Sequence, residues 1–130
     1  MREILFRGKT DNGKWVEGFY YKDLTSNCVY IISWKNANVL DVENFVEVTT
    51  ETIGQYTGLT DKNGKKIFEG DIVKLHLIDC IEIGVIKYND IMCRFMFFTK
   101  DGSYGFDNTN DFEVIGNIHD NPELLKGGAE

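Results

Sequence analysis

The chain has 130 residues, with 14 basic against 21 acidic side chains, a formal charge of −7 and a hydrophobic fraction of 42%. Nine Phe, six Tyr and two Trp can fill a core, which excludes a wholly disordered chain, and the length fits one compact domain over 1–130. No apolar run reaches the ~18 residues of a membrane-spanning helix, and the opening Met-Arg-Glu-Ile-Leu-Phe-Arg turns charged too soon for a signal peptide. A cytoplasmic location without a membrane partner is therefore expected.

Turn chemistry is the strongest local signal, because Asn-Gly and Asp-Gly readily supply the positive φ angles that tight hairpins demand. Asp11-Asn12-Gly13 lies between Ile4–Arg7 and Trp15–Phe19 and predicts the first hairpin. Cys28-Val29-Tyr30-Ile31-Ile32 follows as a strand rich in β-branched and aromatic residues. A helical turn is expected around Asp41 to Phe45. Asn63-Gly64, ahead of Lys66-Ile67-Phe68, predicts a second hairpin.

Further strands are expected over Asp71 to Leu77, Ile81 to Tyr88 and Phe112 to Ile118. In the first of these Val73, Leu75 and Leu77 share one face and Lys74 and His76 the other; in the last, Phe112, Val114 and Ile118 oppose Glu113, Asn117 and His119. Asp101-Gly102 separates Arg94–Phe98 from Tyr104–Phe106 as a third hairpin. At the end, Asn121-Pro122-Glu123-Leu124-Leu125 offers an Asn cap, Pro in the first turn and an acid near the positive end of the dipole, so a one-turn helix packed by Leu124 and Leu125 is expected. The sum is a mainly β chain, a small SH3-like antiparallel barrel with additional hairpins and a short C-terminal helical turn.

Residues that could carry chemistry are few. Cys28, Cys80 and Cys93 stand apart without a Cys-x-x-Cys pair, an odd number that fits a reducing compartment, and apolar neighbours make them candidates for small buried hydrophobes. Asp61-Lys62-Asn63-Gly64 begins like a calcium loop, but Ile72 stands where the closing bidentate Glu would be, which favours a plain hairpin turn. Asp107-Asn108-Thr109-Asn110-Asp111 gathers oxygen atoms and reads better as a solvated loop. His76 and His119 have no second histidine or cysteine at ligand spacing. Glu69 and Asp71 would share a strand face, as an acid–base pair must. Gly70 between them instead suggests a tight strand entry in which Asp71 bonds backbone amides. No catalytic, cofactor or metal residues are assigned, and no enzyme activity is expected.

Gln55 and Tyr56, with Lys62, Lys65 and Lys66, form a candidate interaction surface, since tyrosine stacks on bases and lysine neutralises phosphate. The net charge of −7 works against unaided nucleic-acid binding. Aromatics beyond what a small core can hold would serve subunit contacts, which makes a homo-oligomer the first expectation. The alternative is a nucleic-acid-associated protein, either a single-strand binder or an acidic DNA mimic acting on a host enzyme.

The stretch Ile53 to Val73, IGQYTGLTDKNGKKIFEGDIV, together with the opening MREILFRGK and the closing FEVIGNIHDNPELL, resembles the YopX-like family of phage and prophage proteins. The matching positions are Gln55, Tyr56, Thr57, Gly58, Leu59, Lys62, Asn63, Gly64 and Phe68 through Val73. The resemblance implies one YopX-like domain over 1–130, a mostly β SH3-like architecture, a phage or prophage gene acting in the host bacterial cytoplasm, and self-association or a host or phage protein partner. It implies structural roles for Gly54, Gly58, Gly64, Gly70 and Asp71, and it brings no established activity.

Overall fold

A computed structural model describes residues 2–33, 44–105 and 111–127. The chain divides into two compact units, Met1–Tyr56 and Thr57–Glu130. Each is antiparallel β, and among the described residues neither sheet closes into a barrel. The expected mainly β architecture is present, with open sheets where a barrel was expected.

In the first unit, β1 (Phe6–Lys9) and β2 (Trp15–Lys22) form the Asn-Gly hairpin, pairing Lys9 with Trp15 and Phe6 with Gly18. Gly13 closes its turn at φ +89°. β3 (Val29–Ile32) adds to β2, and β4 (Phe45–Val48) adds to β3 in the register Val29 to Val48 and Ile32 to Phe45. On the other side, β1 pairs with the start of β5 (Gly54–Thr60), Phe6 opposite Gln55 and Arg7 opposite Gly54. A 3-10 turn at Thr50–Thr52 leads into β5. Val29, Ile31 and Val48 are buried together, with Phe6, Val16 and Ile53 packed against them. Within the expected helical turn, residues 41–43 lie outside the described residues, and Phe45 begins β4 instead. Its alternating Phe-Val-Glu-Val places Val48 in the core.

In the second unit, the end of β5 turns at Asp61–Lys65 into β6 (Lys66–Phe68). The sheet that follows comprises β7 (Asp71–His76), β8 (Ile81–Asn89), β9 (Arg94–Thr99), β10 (Gly102–Tyr104) and β11 (Phe112–Asn117). Its order is β10-β9-β8-β7-β11, so only β11 departs from a simple meander. Ile67, Val73, Ile86, Phe97 and Phe112 form the core, and Phe97 meets Phe112 edge-on at 5.2 Å. Ile72 is buried along with Val73, so the expected two-faced alternation of β7 fails at its start, where both sheet faces are covered. Leu77 lies beyond the end of β7 and is exposed. A register shift between Val114 and Gly116 leaves Ile115 as the extra residue in β11, which breaks period two within the strand.

The C-terminal helix α1 runs over Glu123–Gly127. Asn121 does not cap it through its side chain. Its Oδ1 accepts the Asn117 amide at 3.3 Å, and Leu124 donates instead to the Asn121 carbonyl. Of the two leucines expected to pack the turn, Leu125 remains exposed.

The cysteines depart from the expectation of burial. Cys80 and Cys93 are exposed in the β7–β8 and β8–β9 turns, and only Cys28 is partly covered. Both turns need tight polar backbone geometry, with Cys93 at φ +54°, which overrides the apolar flanks. In the native protein two thiols are expected to react promptly with a maleimide and Cys28 more slowly; peptide mapping of the modified chain checks this.

Candidate functional site

The motif Glu69-Gly70-Asp71 builds structure. Asp71 is buried, and its Oδ2 accepts the Phe68 amide at 2.7 Å, as the tight-entry reading expects. Gly70, at φ +88°, donates to the Ile86 carbonyl at 2.8 Å and accepts from the Ile118 amide at 2.9 Å. A side chain would be strained in this left-handed conformation, so glycine alone lets the turn bridge β8 and the turn after β11. Gly58 and Gly64 also sit at positive φ, and Gly54 is buried in β5 opposite Arg7.

Asp61 has a larger role than its place in a hairpin turn suggested. Its Oδ1 accepts the Asn63 and Lys65 amides at 2.9 Å each, and its Oδ2 accepts the Val114 amide at 2.9 Å. One carboxylate thus closes the β5–β6 turn and ties it to β11. The Lys62 amide adds a bond to the Phe112 carbonyl at 2.9 Å. Burial by itself would raise the Asp61 pKa, but the Val114, Lys65 and Asn63 amides and the Lys65 charge outweigh it and hold the carboxyl below its ordinary value. An Asp two residues before Asn-Gly is a visible turn signal; the contact to β11, 53 positions away, is not.

The predicted interaction surface divides. Tyr56 is buried, which removes it as a base-stacking group, and Gln55 is half-buried. Lys62, Lys65 and Lys66 are exposed in the second unit, whereas Gln55 and Tyr56 belong to the first. His76 Nε2 lies 3.0 Å from Glu113 Oε1. That hydrogen bond, with the nearby Lys62 and Lys74 charges, holds the Glu113 carboxyl below its ordinary range against the opposing effect of burial. Among the described residues no group of three or more His, Cys, Asp and Glu could hold a metal ion. Of the Asp107–Asp111 cluster, residues 107–110 lie outside the described residues. No helix among the described residues is long and apolar enough to cross a membrane.

Sequence reasoning missed the surface with the clearest geometry. Strand alternation places Arg7, Lys9, Trp15, Glu17, Phe19, Tyr21, Tyr30, Ile32, Phe45 and Glu47 on the face of the first unit's sheet that points away from Val29, Ile31 and Val48. Tyr21 packs against Tyr30 at 6.2 Å and edge-on against Phe45 at 5.8 Å, and Tyr30 meets Phe45 at 6.3 Å. Arg7 and Lys9 lie over Trp15 at 4.8 and 5.8 Å. Phe19 is 48% and Tyr21 44% exposed, against an expected near-zero value for core aromatics. The aromatic residues of β2 and β3 were visible in the sequence; their joining to Phe45 needed β4.

A cleft of about 360 Å³ at one end of this sheet is lined by Asp11, Asn27, Cys28, Glu47, Thr49 and Glu51, among others. Its acidic lining assigns it no ligand.

The family model for YopX protein matches residues 5–126, across both units. The chain belongs to the YopX family. This YopX-family chain is also similar to the crystal structure of protein EF1440 from Enterococcus faecalis, with 28% identity, a TM-score of 0.59, and coverage of 96% of this chain and 99% of that one. No curated protein matches it. The Gln-Tyr-Thr-Gly-Leu and Glu-Gly-Asp-Ile-Val segments that carried the resemblance thus sit in β5 and around the buried Asp71, where they serve folding.

Proposed function

We propose that this YopX-family chain is a phage- or prophage-encoded accessory binding module that self-associates in the host bacterial cytoplasm and has no catalytic activity of its own. The supporting observation is the aromatic sheet face, where Phe19 and Tyr21 stand nearly half exposed beside Tyr30 and Phe45. Leaving such rings in water forgoes burial free energy, and a protein partner recovers it. Two cations, Arg7 and Lys9, and two carboxylates, Glu17 and Glu47, make this face neutral, which suits a protein surface better than a phosphate backbone.

Size-exclusion chromatography with light scattering tests the reading: the expected mass is a multiple of 14.9 kDa. A mass of 14.9 kDa at high concentration would overturn self-association.

The alternative is a nucleic-acid-associated protein, supported by the exposed Lys62, Lys65 and Lys66. With Tyr56 buried, those lysines lose the stacking group first paired with them, so contact would be electrostatic alone. A salt-sensitive gel shift, abolished by reversing the three lysine charges, would support strand binding. Retention of a nucleic-acid enzyme from host lysate, competed off by DNA, would support mimicry.

A further inference from the structure

We infer that the outer face of the β1–β4 sheet is an isologous interface between two copies of this chain. This rests on the self-association proposed above and adds the surface and the symmetry.

The charge layout selects a second copy as occupant. Lys9 lies on β1 at one corner of the face, and Glu47 on β4 at the opposite corner, with Phe19 near the midpoint of the diagonal and Tyr21 and Tyr30 in the same cross-strand row as Glu47. Strand spacing and rise put those corners about 25 Å apart. A two-fold axis in the plane of contact, crossing this diagonal at its midpoint beside Phe19, sets each copy's Lys9 against the other's Glu47. The same operation lays Phe19 close to its own equivalent and sets Phe45 and Tyr30 of each copy toward Trp15 and Arg7 of the other. A face that is neutral in sum but polar along its diagonal is complementary to itself only under such an operation.

The size of the face sets the strength. Only β2 runs the full length of the face, with the four-residue β1 beside its first half and the four-residue β3 and β4 beside its second, so the contact would bury roughly 650 Å² in all, the size of a weak, transient interface. The dimer is therefore expected to be weak, forming at high micromolar concentrations of the chain.

The test is analytical ultracentrifugation of the full chain and four variants, alone and with a deoxythymidine oligomer. Tyr21→Glu, Lys9→Glu and Glu47→Lys are each expected to weaken the dimer at least tenfold, and the double variant Lys9→Glu/Glu47→Lys to regain most of that loss. Circular dichroism identifies any variant that fails to fold, and the exposed Glu47 keeps the test available should Tyr21→Glu be one. A wild-type chain that stays monomeric overturns both this inference and the self-association it rests on. A wild-type oligomer whose dissociation constant none of the folded variants moves leaves self-association standing and overturns the face. Equal weakening in the singles and the double overturns the Lys9–Glu47 pairing. A monomer that binds a deoxythymidine oligomer through Tyr21 overturns the assignment of a second copy.

Discussion

Gly84→Ala is expected to prevent the second unit from folding at physiological temperature. Gly84 is buried in β8 opposite Val73 of β7. A β-carbon there would lie 2.3 Å from the Phe98 carbonyl oxygen and 2.7 Å from Phe97 Cε1. The oxygen belongs to β9, which pairs with β8 on its other side, so relief would require separating paired strands. Phe97 cannot retreat either, because it is fully buried against Phe112. Overpacking against mobile side chains costs about 1–3 kcal/mol, and a backbone contact this short places the cost at or above that upper end. Gly64→Ala is the control. Nothing lies within 4 Å of its added carbon, so only the positive φ of +82° is strained, about 1 kcal/mol. Urea titration followed by circular dichroism should show a shifted midpoint for Gly64→Ala and no native baseline for Gly84→Ala.

Asp61→Ala is expected to cost on the order of 3 kcal/mol, because three amides, those of Asn63, Lys65 and Val114, lose their acceptor together. Asp61→Asn keeps the shape but turns an NH2 group toward at least one of those amides and should cost about 2 kcal/mol. The pH dependence identifies the charge. The folded-state pKa of Asp61 lies below its ordinary value, so at acid pH the unfolded state binds the proton more readily. The stability this shift contributes is complete above the unfolded value and is lost as pH falls through the folded one. Asp23 and Glu113, whose pKa values are also lowered, act in the same direction and are present in both proteins. The stability difference between wild type and Asp61→Asn should therefore be constant near neutrality and shrink below about pH 4. Urea midpoints at pH 7 and pH 3 measure it; a difference that stays the same would show that the charge contributes nothing.

These two positions show where the amino-acid order sufficed and where it did not. The three hairpins at Asn12-Gly13, Asn63-Gly64 and Asp101-Gly102, the strands around Val29, Val73, Val85 and Val114, and the C-terminal helical turn were legible because each depends on neighbours within a few residues. So was Asp71, whose amide partner Phe68 is three positions away. Open sheets in place of a barrel, the bulge at Ile115, the exposed Cys80 and Cys93, and the burial of Tyr56 all followed from which strands pair. The Asp61 bond to Val114 and the aromatic face that joins Tyr21 and Tyr30 to Phe45 arise in the same way, across 53 and 24 positions for Asp61 to Val114 and Tyr21 to Phe45. Local backbone preference is written into each short segment, whereas the free energy of pairing distant strands depends on the whole set of competing partners. Only the folded chain has chosen among them.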